Sequence, residues 1–276
     1  MRLSLIVACL NARAMLLRCL ESIARQDHPD VELIVADGGS TDGTVELLKA
    51  WKASPVASYQ WFSAPDGGIA DAWNKAVDRV SGAWVLFLGA DDVLAAPNTL
   101  SRAAERLAAL PPAARVAYGQ VALVDARGER VDLLERPWSP ADFRGCRYNL
   151  PHQAVFHHRS LFGEFGPFDT RFRIAADFDF LLRVLAHDEP AYLPGLTVTH
   201  MQVGGLSSTR RNAPAVVREE IRLYRRHVGG VPWVLLWWLV KAWGKAGLHR
   251  LGGDRLALPV TNLYRRLVRG QAPLRY

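Results

Sequence analysis

Apolar residues follow two rhythms along the first hundred positions, and the rhythms alternate. LSLIVAC at 3–9 is a short, nearly continuous apolar run, the pattern of a strand buried on both faces. NARAMLLRCLESIARQ at 11–26 then places Met15, Cys19, Ser22 and Ile23 near one helical stripe, with Leu16 and Leu20 beside it. VELIVAD at 31–37 predicts a second buried strand and the GGS behind it a turn. TDGTVELLKAWK predicts a capped helix with Val45, Leu48 and Trp51 inward. YQWFS (59–63), GIADAWNKAVDRV (68–80) and AWVLFLG (83–89) continue as strand, helix and strand. Farther on come a helix in LSRAAERLAAL, a strand in VAYGQVALVD, a hairpin-like ARGE turn, an irregular stretch to about residue 150, and a helix in IAADFDFLLRVLAH.

Strands alternating with helices predict an α/β fold: a mostly parallel sheet with helices on both faces. Such sheets bind ligands at the carboxyl ends of their strands. Asp37 ends the second predicted strand, and Asp91 with Asp92 follow the fourth, so all three fall along one rim. Two adjacent carboxylates at the end of an apolar strand repel each other unless a cation joins them. The pair suits Mg²⁺ or Mn²⁺, hard ions held by one or two carboxylates together with substrate phosphates. The plainer alternative is that the pair caps the next turn.

Length and charge add to this picture. The chain has 276 residues, half of them apolar, enough for one α/β domain with an appendage. Its three cysteines (Cys9, Cys19, Cys146) are scattered, which points to neither a disulfide framework nor a zinc site and fits a reducing, cytoplasmic compartment. The opening LSLIVACL lacks the pattern of a signal peptide. The net charge of +7 is unevenly held: residues 209–276 carry 14 Lys and Arg against 3 Asp and Glu, so the first 208 are net acidic. That acidic front is a poor surface for nucleic acid. The tail is basic and apolar, and VPWVLLWWLV (231–240) is too short to span a bilayer. It suits either a helix lying on an anionic membrane surface, peripheral on the inner face, or a core helix.

ELIVADGGSTDGT (32–44), DGGIADAWNKAVDRVSGAWVLFLGADD (66–92), PHQAVFHHRSLF (151–162) and FDTRFRIAADFDFLLR (168–183), with CLN at 9–11, resemble in order the motifs of family 2 glycosyltransferases with the GT-A fold, Rossmann-like in plan. The resemblance covers about residues 1–208. It implies a catalytic domain there, with a donor-binding half near 1–100 and an acceptor half near 101–208, followed by a helical tail at 209–276. It implies inverting, metal-assisted transfer of a sugar from a nucleotide-diphosphate donor to an acceptor hydroxyl. A cell-surface polysaccharide or lipopolysaccharide pathway and a lipid-linked saccharide acceptor follow from family habit and the tail.

By the same resemblance Asp37 contacts the donor's base or ribose, and Asp71 and Asn74 lie near its phosphates. Asp91 is matched to the metal ligand, with Asp92 as second ligand or ribose partner. Where family members often show Asp-x-Asp-Asp, this chain has Gly89 in first place. An acceptor hydroxyl needs a base, and Asp177 aligns with the family's acidic base. It also stands in the first turn of its predicted helix, where the dipole favours its ionised form. Asp179 is the runner-up, with a competing partner in Arg183 four residues on. His152 and Gln153 are expected on the acceptor side. His200 is expected as a further metal ligand or site wall, with a glycine-based flap, GGLSS, after it. Asp66, in PDGG, joins Asp71 and Asn74 as a donor-side position by the resemblance, with ordinary turn chemistry as the alternative. A catalytically silent nucleotide-sugar-binding or scaffold protein of the same pathway is the alternative from another class. A dinucleotide enzyme is disfavoured because LNARA stands where GxGxxG would be.

Overall fold

The computed structural model describes residues 1–237 apart from 53–55, 126, 147–148, 203–212, 233–234 and 236. The chain divides into two compact units, Met1–Gly205 and Leu206–Tyr276. In the first unit the order is β1 (Leu3–Cys9), α1 (Arg13–Ala24), β2 (Val31–Asp37), α2 (Thr44–Ala50), β3 (Ser58–Ser63), α3 (Ile69–Val77), β4 (Trp84–Gly89), β5 (Val93–Leu94), α4 (Thr99–Ala108), β6 (Val116–Val124) and β7 (Arg130–Leu134). It continues with α5 (Pro140–Arg144), a 3-10 turn (His152–Ala154), β8 (Val155–His158), α6 (Ser160–Phe165), α7 (Ala176–Val184) and β9 (Ala191–Gln202). The second unit contains α8 (Ala213–His227), whose Val217, Ile221, Leu223 and Tyr224 are buried. The GGLSS segment and most of the 231–240 run lie outside the described residues.

The nine strands form one sheet in the order β3-β2-β1-β4-β8-β6-β9-β5, with β7 pairing β6. The first half is parallel: β1 pairs β2 and β4, and β2 pairs β3. Antiparallel joins enter at β8, β7 and β5, while β6 and β9 are parallel. Every residue of β1 and β2 is buried, as continuous apolar runs between two helical layers require. On α1, Leu16, Cys19, Leu20, Ser22 and Ile23 are buried but Met15 is 45% exposed, so the inward stripe is centred on the leucines. β5 sits at the far end of the sheet path, yet the Leu94 N–H donates to Ser22 Oγ of α1 at 3.1 Å. The sheet therefore curls back on its own first helix.

Two polar residues interrupt the buried strands, and they answer each other. Ser4 and Glu32 are register partners on β1 and β2. The Glu32 carboxylate accepts from Ser4 Oγ (2.5 Å), Ser81 N–H (2.8 Å) and Ser81 Oγ (2.7 Å), and the Gly82 N–H donates to Ser4 Oγ at 2.9 Å. This cluster pins β1, β2 and the approach to β4 at the amino ends of the strands. Burial pushes the Glu32 carboxyl up, but the bonds from Ser4 and Ser81 outweigh it and hold it below its usual value.

Candidate active site

The carboxyl ends of β2, β1 and β4 stand side by side because Cys9 pairs with Asp37 and Ala8 with Gly89. Just past β4 the chain turns sharply, the Asp92 N–H bonding back to Gly89 O at 3.1 Å. That turn folds both carboxylates over Gly89: a Cβ placed there would lie 2.7 Å from Asp91 Oδ1 and 3.1 Å from Asp92 Oδ2. The two oxygens thus face one small volume, which glycine leaves open. Asp92 Oδ2 accepts the Gly89 N–H at 2.8 Å and its residue is 5% exposed. Burial raises its carboxyl to about 7, against the pull of the Gly89 N–H and with the help of the neighbouring Asp91 charge.

Among the described residues neither carboxylate has an ion-pair partner, and Asp91 accepts no hydrogen bond. Nor do three His, Cys, Asp or Glu side chains gather there to hold a metal alone. Two convergent carboxylate oxygens without a counter-charge fit a hard divalent cation whose remaining ligands are water and substrate phosphate. His200 pairs with Val93 across β9 and β5 and lines a cavity of about 390 Å³ with Arg18, Glu21 and Arg25 of α1 and the segment after it. Burial lowers its pKa.

Asp37, expected at the donor's base or ribose, is 1% exposed and engaged by its own turn. Its oxygens accept from Gly39 N–H (3.1 Å), Ser40 N–H (2.9 Å), Ser40 Oγ and Ser63 Oγ (2.6 Å). It is a turn-holding residue, and those bonds depress its pKa despite burial. The turn it holds in turn supports the start of α1. Asn11 N–H donates to Ser40 Oγ, Ala12 N–H to Thr44 Oγ1 and Arg13 N–H to Asp42 Oδ2, at 2.7, 3.1 and 3.1 Å.

On α3, Asp71 accepts the Gly67 N–H at 3.0 Å and pairs with Lys75 at 2.8 Å, which lowers its pKa. Asn74, also expected at the donor, is instead clamped to the backbone of Phe168. Its Nδ2 donates to Phe168 O at 2.9 Å and its Oδ1 accepts the Phe168 N–H at 2.8 Å. With both ends of its amide committed, Asn74 joins α3 to the segment leading into α7.

At the start of α7, Asp177 is partly exposed and accepts the Phe178 N–H at 2.8 Å. Asp179 is 0% exposed and pairs with Arg183 at 3.0 Å. The Arg183 guanidinium also donates to Phe165 O and to Pro167 O (2.8 Å), which encloses the Asp179 end of the pair. A carboxylate so enclosed is a scaffold, which leaves Asp177 as the accessible acid of the two.

His152, expected at the acceptor, is 7% exposed and packed among rings: stacked on Phe87 at 5.0 Å, with Trp73 at 4.9 Å and His157 at 5.1 Å. Burial holds its pKa well down. Its place is in the aromatic core that also includes Phe162, Phe168 and Phe180 and ties β4 to α7. Its neighbour Gln153 reaches Met201 of β9 and is only partly buried.

A family model described as glycosyl transferase family 2 matches residues 4–164. A PGL/p-HBAD biosynthesis glycosyltransferase of Mycobacterium bovis (strain BCG / Pasteur 1173P2) is 37% identical over 213 residues, covering 75% of this chain and 79% of that protein. Among solved structures, S. aureus TarS 1-349 in complex with UDP-GlcNAc is 18% identical with a TM-score of 0.62, over 98% of this chain and 74% of that one. The chain spans 44% of the longer TarS chain. The mannosyltransferase PcManGT from Pyrobaculum calidifontis, in complex with GDP-Man and Mn²⁺, is 21% identical with a TM-score of 0.63, over 96% and 79%. These structural likenesses agree with the GT-A type of α/β fold.

Proposed function

The chain belongs to glycosyl transferase family 2, and from that premise we propose that it moves a sugar from a nucleotide-diphosphate donor to an acceptor hydroxyl with inversion, assisted by Mg²⁺ or Mn²⁺. The observation that carries this reading is the convergence of Asp91 Oδ1 and Asp92 Oδ2 over Gly89 at the carboxyl rim of the parallel strands. Complexes of PcManGT with GDP-Man and Mn²⁺ and of TarS with UDP-GlcNAc support a donor of that class and the metal.

Asp91 and Asp92 would hold the cation, which when bound supplies positive charge beside the departing diphosphate. Asp177 serves as the base. As the acceptor oxygen forms its bond to the anomeric carbon, Asp177 takes the hydroxyl proton. The bond from that carbon to the diphosphate oxygen breaks on the opposite face, and the nucleoside diphosphate leaves with the electron pair. Asp37 and Asp71 shape the donor half, near 1–100, by holding turns, and Gln153 belongs to the acceptor half, near 101–208.

The acceptor is a saccharide or lipid-linked saccharide of a cell-surface pathway, approached from the cytoplasmic face with the basic tail at the membrane. Relatives named for PGL/p-HBAD biosynthesis support a biosynthetic role. The test is Asp177→Asn: transfer falls by about 10²–10⁴-fold while donor affinity, measured by calorimetry with Mn²⁺, stays the same. Undiminished transfer overturns the assignment of the base, and retention of anomeric configuration in the product, read by NMR, overturns inversion.

A further inference from the structure

The cavity of about 390 Å³ beside α1 takes no part in the transfer proposed above. One wall is the face of α1 that carries Arg18, Glu21 and Ser22, continued by Arg25 and Gln26; the other is the apolar segment 93–97, with His200 paired to its first residue. The lining starts at Val93 and leaves out Asp91 and Asp92, so this volume is separate from the proposed cation site. Two of its polar side chains are committed to the fold. Ser22 Oγ donates to Cys19 O and accepts the Leu94 N–H, while Gln26 donates to Ala96 O and accepts the Leu100 N–H. Others are not. Arg18 is exposed and has no partner among the described residues. The half-buried His200 ring has none there either, and burial keeps it neutral with one N–H to donate. Arg25 pairs with Glu21 at 3.1 Å, but both side chains stand in solvent, where such a pair contributes little.

Two guanidiniums against one carboxylate call for an anion, and guanidinium forks match phosphate oxygens. The apolar wall adds a surface that a bare phosphate leaves unused and a glycerol or acyl stem covers. Leu10, Met15 and Leu17, at and before the start of the same helix, are exposed, and Leu17 adjoins Arg18. Exposed apolar side chains interleaved with arginines make a surface suited to lipid headgroups. We propose that this cavity holds the phosphate of an anionic membrane phospholipid, with Arg18 and His200 as donors and Arg25 adding positive charge. The site lies wholly within the first unit. The inference deepens the membrane reading above: the unit that carries the rim, and not the basic tail alone, is held at the lipid surface.

The experiment measures partition of the full chain onto phosphatidylcholine vesicles with and without phosphatidylglycerol, a lipid whose only charge is its phosphate. Arg18→Gln and Arg25→Gln each weaken binding to the phosphatidylglycerol vesicles about fivefold. Arg127→Gln, equally exposed but on the turn between β6 and β7, leaves it unchanged. Dihexanoyl phosphatidylglycerol below its micelle concentration shifts the His200 ring signals in proton–nitrogen NMR, and Arg18→Gln abolishes the shift. Thermal unfolding of each variant near the unaltered protein's midpoint separates a lost contact from a lost fold. Undiminished vesicle binding by folded Arg18→Gln overturns the cavity's role and leaves that of the tail standing. Ring signals that move with inorganic phosphate but not with the short-chain lipid assign the cavity to a free anion and overturn the lipid. Failure of the unaltered chain to bind phosphatidylglycerol vesicles overturns both attachments.

Discussion

At position 89 the missing side chain is as consequential as the carboxylates beside it. In the sequence, GADD reads as a metal motif that has lost its first acid; in three dimensions Asp91 and Asp92 occupy the space that acid would need. Restoring the family's commoner residue should therefore harm the site. Gly89→Asp and Gly89→Ala are expected to weaken Mn²⁺ binding by roughly 10–100-fold, the usual cost of disturbing what orients a ligand, with isothermal titration as the readout. Tighter binding by Gly89→Asp would show that the convergence does not build the site. The acidic pair was legible in the sequence because rim position follows from strand order. Its convergence was not, since it depends on a tight turn that composition does not specify. Which of two turn aspartates, Asp37 or Asp66, has both oxygens engaged was not legible for the same reason: it depends on neighbours such as Ser40 and Ser63.

Between elements, two polar clusters do what the apolar pattern cannot. Asn74 locks α3 to Phe168, and Asp179 with Arg183 locks α7 to the carbonyls of Phe165 and Pro167. Together they set where α7 begins and hence where Asp177 stands. Asn74→Ala should cost roughly 1–3 kcal/mol of stability by stranding the Phe168 backbone groups. It should also lower kcat while leaving donor Kd unchanged; a rise in donor Kd with kcat intact would restore Asn74 as a donor contact. At the other end of the sheet, Glu32 is held below its usual carboxyl value, about 4.5, when folded. Its contribution is thus full above that value and lost as pH falls through the folded pKa. The melting-temperature gap between the unaltered protein and Glu32→Gln should be widest at pH 7 and narrow as the pH falls below about 4.5; a gap that widens in acid would contradict the assignment. The parallel first half of the sheet was readable because each strand-helix-strand step is local. The antiparallel β8, the two-residue β5 and the long β9 were not, because their pairing joins distant segments and leaves no strong period in the sequence.

For the whole molecule the decisive asymmetry is electrostatic, and it was fully legible because it is a count. Residues 209–276 carry 14 Lys and Arg against 3 Asp and Glu, while the remainder of the chain is net negative. No helix among the described residues is long and apolar enough to cross a membrane. In the function proposed above, attraction of the basic tail to an anionic surface brings this chain to a lipid-linked acceptor. On α8 the arginines at 218, 222, 225 and 226 accompany a buried stripe, and Trp237 beyond it is half exposed. Basic residues near an anionic leaflet contribute about 1 kcal/mol each, an attraction that fades once the Debye length shrinks to roughly 3 Å near 1 M salt. The full chain should sediment with phosphatidylserine-containing vesicles at low salt, release at high salt, and ignore purely zwitterionic vesicles. Salt-resistant binding would point instead to apolar insertion by the tryptophan-rich run, and no binding at low salt would confine the tail to packing within the protein. Because the catalytic residues proposed here all lie before 209, the vesicles should raise transfer to a membrane-embedded acceptor without changing kcat on a soluble one.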